Sequence, residues 1–364
     1  MSSDKVTIFL TGATGYIGGS VLQRLLAHPN RKNFEITTLV RNTEKAKRLD
    51  KEFGVKTVVG ALQDLDKLAT LAENAHVVFH TADCDDLNAI NAILNGLKAR
   101  HEKTGDLPLL IHTSGTGELM DDARGAYASD KVYSDIDIAG IEALPPTAIH
   151  RPVDLAVVAA DAAGYARTHI IMPSVIYGIA TGPLFDTGIA NPQTIIFPLY
   201  VRAAVLNGHV AVLNEGATIW ADVHIVDIAD MYIRMFDTLL STPEKVSHGR
   251  EGYFIGENGE FVARENLQTI ADALFAAGRI SSPKLVQYSD ANIGPYYSKA
   301  MPATVAEYGG QMIARVAFAN TRCKAERARR ELGWAPTYTT KDMLAGLPYE
   351  VELILKRLDA EKSA

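Results

Sequence analysis

Gly12, Gly15 and Gly18 in VTIFLTGATGYIGG have the types and spacing to hold phosphate. Glycine lets a chain turn tightly out of a strand, lets main-chain N–H groups approach a pyrophosphate, and lets the next helix pack on that strand. The helix N-terminus adds oriented donors and a positive dipole end. A G-x-x-G-x-x-G run between the first strand and a helix reads as a dinucleotide corner, with Thr14, Tyr16 and Ile17 in the same turn. The end of the second strand selects the dinucleotide. A carboxylate there would take the free ribose 2′-hydroxyl of NAD(H). Here the strand ends Leu39-Val40-Arg41-Asn42, and Glu35 stands at its other end. Arg41 offers a planar cation for a 2′-phosphate and an adenine face, and Lys45 adds charge one turn on. The expected cofactor is NADP(H) rather than NAD(H).

Other chemistries find less support. No His-Glu-x-x-His occurs, and Cys84 and Cys323, two cysteines far apart, have neither ligand nor disulfide spacing, so no metal is expected. His224 reads as a structural residue and Asp227 as a helix cap. The basic run from Arg322 to Arg330 is broken by Glu326 and anchored by Leu332 and Trp334, which marks a solvated helix face. A net charge of −7 argues against nucleic-acid and anionic-membrane partners.

The elements that must position these residues follow from periodicity. With 364 residues, 47% of them apolar, the chain has the material for a large core and for about two domains. Apolar runs at Val6–Leu10, Glu35–Val40, Val55–Val59, His76–Thr81 and Leu109–Thr113 alternate with helical stripes, as a parallel sheet covered on both faces requires. The expected fold class is α/β: a Rossmann-type doubly wound parallel sheet with a smaller, interleaved C-terminal substrate lobe. The dinucleotide domain is expected over 1–177, with 210–241 returning to it, and the lobe mainly over 178–364. Asp64 is placed to cap a helix. Residues 115–151, rich in Asp and interrupted by Pro145 and Pro146, read as a long loop of the lid type. A helix then starts at Pro152, and a strand follows at Thr168–Met172. The N-terminus lacks the form of a signal peptide, the C-terminal EKSA matches no retention address, and no apolar run reaches about 18 residues. A cytoplasmic protein with no membrane partner is expected.

At several places the chain resembles the extended short-chain dehydrogenase/reductase family, which includes NAD(P)-dependent epimerases and dehydratases and dihydroflavonol-reductase-like enzymes. TGATGYIGG resembles its opening loop. VFHTAD, with His80, Thr81 and Ala82, resembles the turn that passes the cofactor. IHTSG resembles the strand that ends in the active-site serine, here Ser114. MPSVIYG resembles the nicotinamide-side segment and implicates Pro173, Ser174 and Val175. The resemblance implies cofactor contacts at these positions and a small-molecule substrate, and it allows a homodimer. The family's Gly-Asp-Leu after the third strand is here Gly60-Ala61-Leu62, which keeps a contact through Ala61 and Leu62 but loses a carboxylate.

The larger departure is at the proton donor. The family uses Tyr-x-x-x-Lys at the start of the helix before the sixth strand, where this chain reads His150-Arg151-Pro152-Val153-Asp154. Tyr127 and Lys131 have the right spelling but lie upstream, in the long loop. Three readings stay open: Tyr127 and Lys131 serve from the loop; His150 is the donor with Asp154 raising its pKa; or neither pair works and the protein binds cofactor without ordinary catalysis. The expected function is an NADP(H)-dependent oxidoreductase on a small carbonyl or alcohol, with Ser114 polarising the oxygen. The alternatives are a sugar-nucleotide epimerase or dehydratase and a non-catalytic NADP(H)-sensing regulator of NmrA-like type.

Overall fold

The computed structural model describes residues 5–301 and 309–363. Residues 1–4 and Ala364, part of the segments read for targeting signals, lie outside that range. Seven strands form one sheet: β1 (Val6–Thr11), β2 (Phe34–Val40), β3 (Lys56–Val59), β4 (Val77–His80), β5 (Leu109–Thr113), β6 (Arg167–Pro173) and β7 (Tyr253–Gly256). Their order is β7-β6-β5-β4-β1-β2-β3, and every pairing is parallel. This is the doubly wound Rossmann arrangement expected from the alternation of runs. β4 and β5 are buried at every position, which is why they read as unbroken apolar runs.

Helices α1 (Tyr16–Leu26), α2 (Thr43–Phe53), α3 (Leu65–Glu73), α4 (Leu87–Thr104), α5 (Arg151–Ala162) and α6 (Ile225–Ser241) flank the sheet. Gly54 ends α2 in the left-handed conformation. Asp64 stands at the N-cap position of α3 but does not cap it; its carboxylate turns back to the Ala61 N–H, 2.9 Å away. At α6 the capping role falls to His224, whose Nδ1 accepts from the Val226 N–H, and not to Asp227.

The register aligns the carboxyl ends of the central strands. Thr11 lies beside His80, His80 beside His112, and Thr113 beside Ile171. The loops that leave β1, β4, β5 and β6 therefore emerge together, on the edge where open α/β sheets carry their sites.

Residues 115–150 do not form a free lid. They contain a single turn at Thr116–Leu119, a two-residue strand Tyr133–Ser134 paired with Cys323–Lys324, and a short helix Ile138–Glu142. The buried Asp135 fastens the segment down: its carboxylate accepts from the N–H groups of Ile255, Glu326 and Arg327. The acidic residues that gave this stretch its loop-like look serve partly as internal acceptors.

A second hydrophobic core contains Phe197, Leu213, Phe261, Ile270, Tyr297, Phe318 and Leu347. Around it lie a three-stranded sheet (Val175–Tyr177, Ile219–His224, Glu260–Val262) and a pair of short strands, Ala211–Leu213 and Val286–Tyr288. The first core also takes residues from late in the chain, including Val223 to Leu239, Tyr253 to Ile255 and Cys323 to Trp334.

Candidate active site

The glycine corner forms as its spacing requires. Gly12 has φ +74° and lies so close to β4 that a Cβ would sit 2.7 Å from the Thr81 carbonyl oxygen. A Cβ on Gly18 would collide with the Gly12 carbonyl and the Thr81 hydroxyl, so α1 can approach β1 only with glycine there. Gly15 is the N-cap of α1 and no side chain caps it, which leaves the main-chain donors of Tyr16 and Ile17 for an anion. The corner is cross-tied, since Thr81 Oγ1 donates to the Thr11 carbonyl and the Ala82 N–H donates to Thr11 Oγ1. The lobe closes against it, for the Thr14 carbonyl accepts from the Asn191 N–H at 3.0 Å. Tyr16 is buried and its hydroxyl donates to the Gly178 carbonyl, so only its main chain faces the corner.

Arg41 follows β2 and is exposed. Asn42 caps α2 through the Lys45 N–H. Burial and the neighbouring Arg48 push the Lys45 pKa down. Among the described residues neither Arg41 nor Lys45 has an ion-pair partner. Leu62 packs against the first core. Ser174 is buried and donates from Oγ to the Gly256 carbonyl, while Val175 beside it is half-buried. His80 is fully enclosed; its Nδ1 lies 2.8 Å from Nδ1 of His112 and the two rings stack, which places it inside the sheet rather than in the turn above.

At the end of β5, Ser114 is 5% exposed and donates from Oγ to Asp154 Oδ2 at 2.7 Å. Asp154, in the first turn of α5, has its other oxygen 3.2 Å from His112 Nε2, outside good hydrogen-bond alignment. Behind it the buried Glu118 accepts from Arg151 Nη1 at 3.0 Å, and the same nitrogen donates to the Tyr253 hydroxyl. Two carboxyls and one guanidinium in so dry a place cannot all be charged at little cost. Burial pushes both Asp154 and Glu118 above the usual carboxylate range; the charge of Asp154 raises Glu118 further, whereas the hydrogen bonds of Asp154 to Ser114 and Glu118 work against its own rise.

His150 is the N-cap of α5. Its Nδ1 lies 2.8 Å from Asp85 Oδ1 and 3.3 Å from Cys84 Sγ, and its Nε2 faces the main chain of Gly115 and Gly117. The partner of His150 is thus Asp85, not Asp154. Tyr127 is 54% exposed and its carbonyl accepts from Asn320; Lys131 lies over the Tyr133 ring. Of the two candidate pairs, His150 and Asp154 flank the Ser114 turn, whereas Tyr127 and Lys131 are held elsewhere. Sequence reasoning missed Cys84, Asp85, His112, Glu118 and Arg151. Arg151 and His112 stood inside segments already quoted for other residues, and Cys84 was weighed only for ligand and disulfide spacing; Asp85 and Glu118 carried no signal of their own.

Comparison with known proteins agrees with this architecture. The oxidase ucsJ of an Acremonium species is 31% identical over 371 residues, covering 98% of each chain. Residues 4–97 match the NmrA-like family model. The chain belongs to the extended short-chain dehydrogenase/reductase family. Among solved structures it resembles a dTDP-glucose 4,6-dehydratase from Bacillus anthracis in complex with NAD (TM-score 0.61, 15% identity, 95% and 96% of the two chains). It also resembles a UDP-glucose 4-epimerase from Thermotoga maritima with UDP-glucose (TM-score 0.60, 12% identity, 97% and 100%). At such identities the solved structures speak for the fold alone.

Proposed function

We propose that the protein is an NADP(H)-dependent oxidoreductase that reduces a small carbonyl compound or oxidises the corresponding alcohol. The observation that carries this reading is the corner at Gly12, Gly15 and Gly18: two positions where a Cβ would clash and an uncapped helix start between them. The donors of Tyr16 and Ile17 would bind the diphosphate. Arg41 and Lys45, cations without ion-pair partners among the described residues, would bind a 2′-phosphate. Thr81, Ala82, Pro173, Ser174 and Val175 would line the rest of the cofactor path. Bound there, the dinucleotide supplies a hydride. Ser114 would meet the reacting oxygen once Asp154, its present acceptor, holds a proton. A relative named an oxidase along nearly the whole chain supports the class.

A second reading, a cofactor sensor without catalysis, draws on one observation: an acid, Asp154, rather than a lysine stands beside Ser114 and ties up its hydroxyl. Fluorescence titration with NADPH and NADH, then NADPH oxidation over a panel of aldehydes and ketones, separates the two. Turnover that falls in Ser114→Ala and Tyr127→Phe favours the oxidoreductase with the loop tyrosine as donor. Turnover that falls in Ser114→Ala alone moves the donor to α5. Tight NADPH binding with no turnover favours the sensor.

A further inference from the structure

His150 holds a backbone conformation that side chains avoid. Its φ is +68°, and among the described residues only Arg124 and Asn214 share a positive φ without being glycine. Such a conformation costs on the order of 1–3 kcal/mol and persists only where its surroundings enforce it. Asp85 enforces it here. One oxygen, Oδ1, accepts from both the His150 main-chain N–H at 3.2 Å and the ring Nδ1 at 2.8 Å. Fixing Nδ1–H on a carboxylate fixes the ring, and Nε2 must then point the other way. It points over the turn that starts at Ser114: a Cβ added to Gly115 would sit 3.1 Å from Nε2, and one added to Gly117 3.3 Å. Larger residues at either position would press on the ring. Among the described residues Nε2 has no hydrogen-bond partner, and the side chain keeps 16% of its surface exposed.

We propose that His150 Nε2 is the catalytic acid and base at the substrate oxygen, with Asp85 as the positioning residue that replaces the family's lysine in holding the donor. The proposal rests on the oxidoreductase reading above. In reduction, a hydride forms the new C–H bond and the carbonyl π pair moves onto oxygen. That oxygen takes the Nε2 proton, and the imidazole is left neutral with Nδ1–H still on Asp85. Oxidation runs the same steps backwards. The charged and titratable groups that face the ring are Cys84 and Asp85 from the loop after β4, His112 on β5, and Asp154 on α5 itself. Burial works against an imidazolium here, while the Cys84 sulphur and the Asp85 carboxylate favour it, and the His150 pKa stands above its ordinary value.

The test uses the full chain with NADPH and the carbonyl panel, with NADPH affinity measured in parallel by fluorescence. His150→Gln should keep NADPH affinity and lose about a hundredfold or more in kcat. Asp85→Asn should keep part of the rate and move the alkaline limb of its pH profile to lower pH, and Asp85→Glu should move it back. Absence of NADPH binding or of any turnover in the unsubstituted protein removes the oxidoreductase reading and this proposal with it. Turnover that persists in His150→Gln within about threefold, or that collapses in Tyr127→Phe instead, overturns the proposal and leaves the reading standing. A rate abolished by EDTA and restored by zinc overturns it too, because Nδ1 would then serve a metal.

Discussion

Single residues make the sharpest claims in this protein because several sit where no other side chain fits. Gly18→Ala would force a methyl group into the Gly12 carbonyl and the Thr81 hydroxyl, both fixed by β1 and β4. The expected outcome is loss of NADPH binding by at least about tenfold, with a lower thermal midpoint, since over-packing a tight corner costs about 1–3 kcal/mol. Arg41→Ala tests something different, because Arg41 is exposed and its side chain has no hydrogen bond or ion pair among the described residues. It should weaken NADPH by about tenfold or more, the worth of a lost charge-assisted bond, and leave NADH affinity unchanged. Equal loss for both would remove the 2′-phosphate argument. The glycine corner and Arg41 were legible in the sequence because strand, turn and helix start are adjacent in the chain. The contact of Ser114 with Asp154 and of Asp85 with His150 was not, because 40 and 65 residues separate the partners and no local pattern says which loops meet.

At the scale of elements, the buried Arg151 does the joining. Its Nη1 reaches Glu118 in the turn after β5 and Tyr253 on β7, so one guanidinium links the start of α5 to two parts of the sheet. Arg151→Met removes the cation that both buried acids face, and it should cost about 3–5 kcal/mol of unfolding free energy, read from urea midpoints. Arg151→Met with Glu118→Gln should recover part of that loss, because the second change removes a carboxyl the first left unpaired; strict additivity would show that the two do not interact. The same scale explains what the sequence hid. Six of the seven central strands read as apolar runs, but β7 is four residues long, lies between Gly252 and Glu257, and joins the edge of a sheet whose previous strand ended at Pro173. Residues 115–150 misled for the opposite reason. Their acidic content suggests solvent, yet Asp135 spends its oxygens on the N–H groups of three distant residues.

Over the whole molecule, buried titratable groups couple stability to pH in opposite directions. Burial holds the pKa of His169, inside the first core, at about 3, far below the roughly 6.5 of an unfolded histidine. The folded protein therefore takes up its proton later than the unfolded chain, so the stability that His169 contributes is full above about 6.5 and drains away as pH falls toward 3. Asp222, on the strand that pairs with both Val175–Tyr177 and Glu260–Val262, behaves inversely. Burial first, and then Glu257 and Glu260, push it up to about 6 against the hydrogen bond from Thr340. The folded protein keeps a proton that an unfolded aspartate gives up near 4, so the Asp222 contribution is full below about 4 and is lost as pH rises through 6. Urea unfolding of three chains between pH 4.5 and 7.5 should expose both signs. Relative to the unsubstituted protein, Asp222→Asn should gain stability as pH rises from 4.5 to about 6 and then level off, and His169→Leu should gain it as pH falls below about 6.5. Each difference should change by up to about 1.4 kcal/mol per pH unit, the value of one proton. Parallel curves for all three chains would mean that these groups exchange their protons with solvent in the fold as freely as in the unfolded chain, and that neither core seals them off.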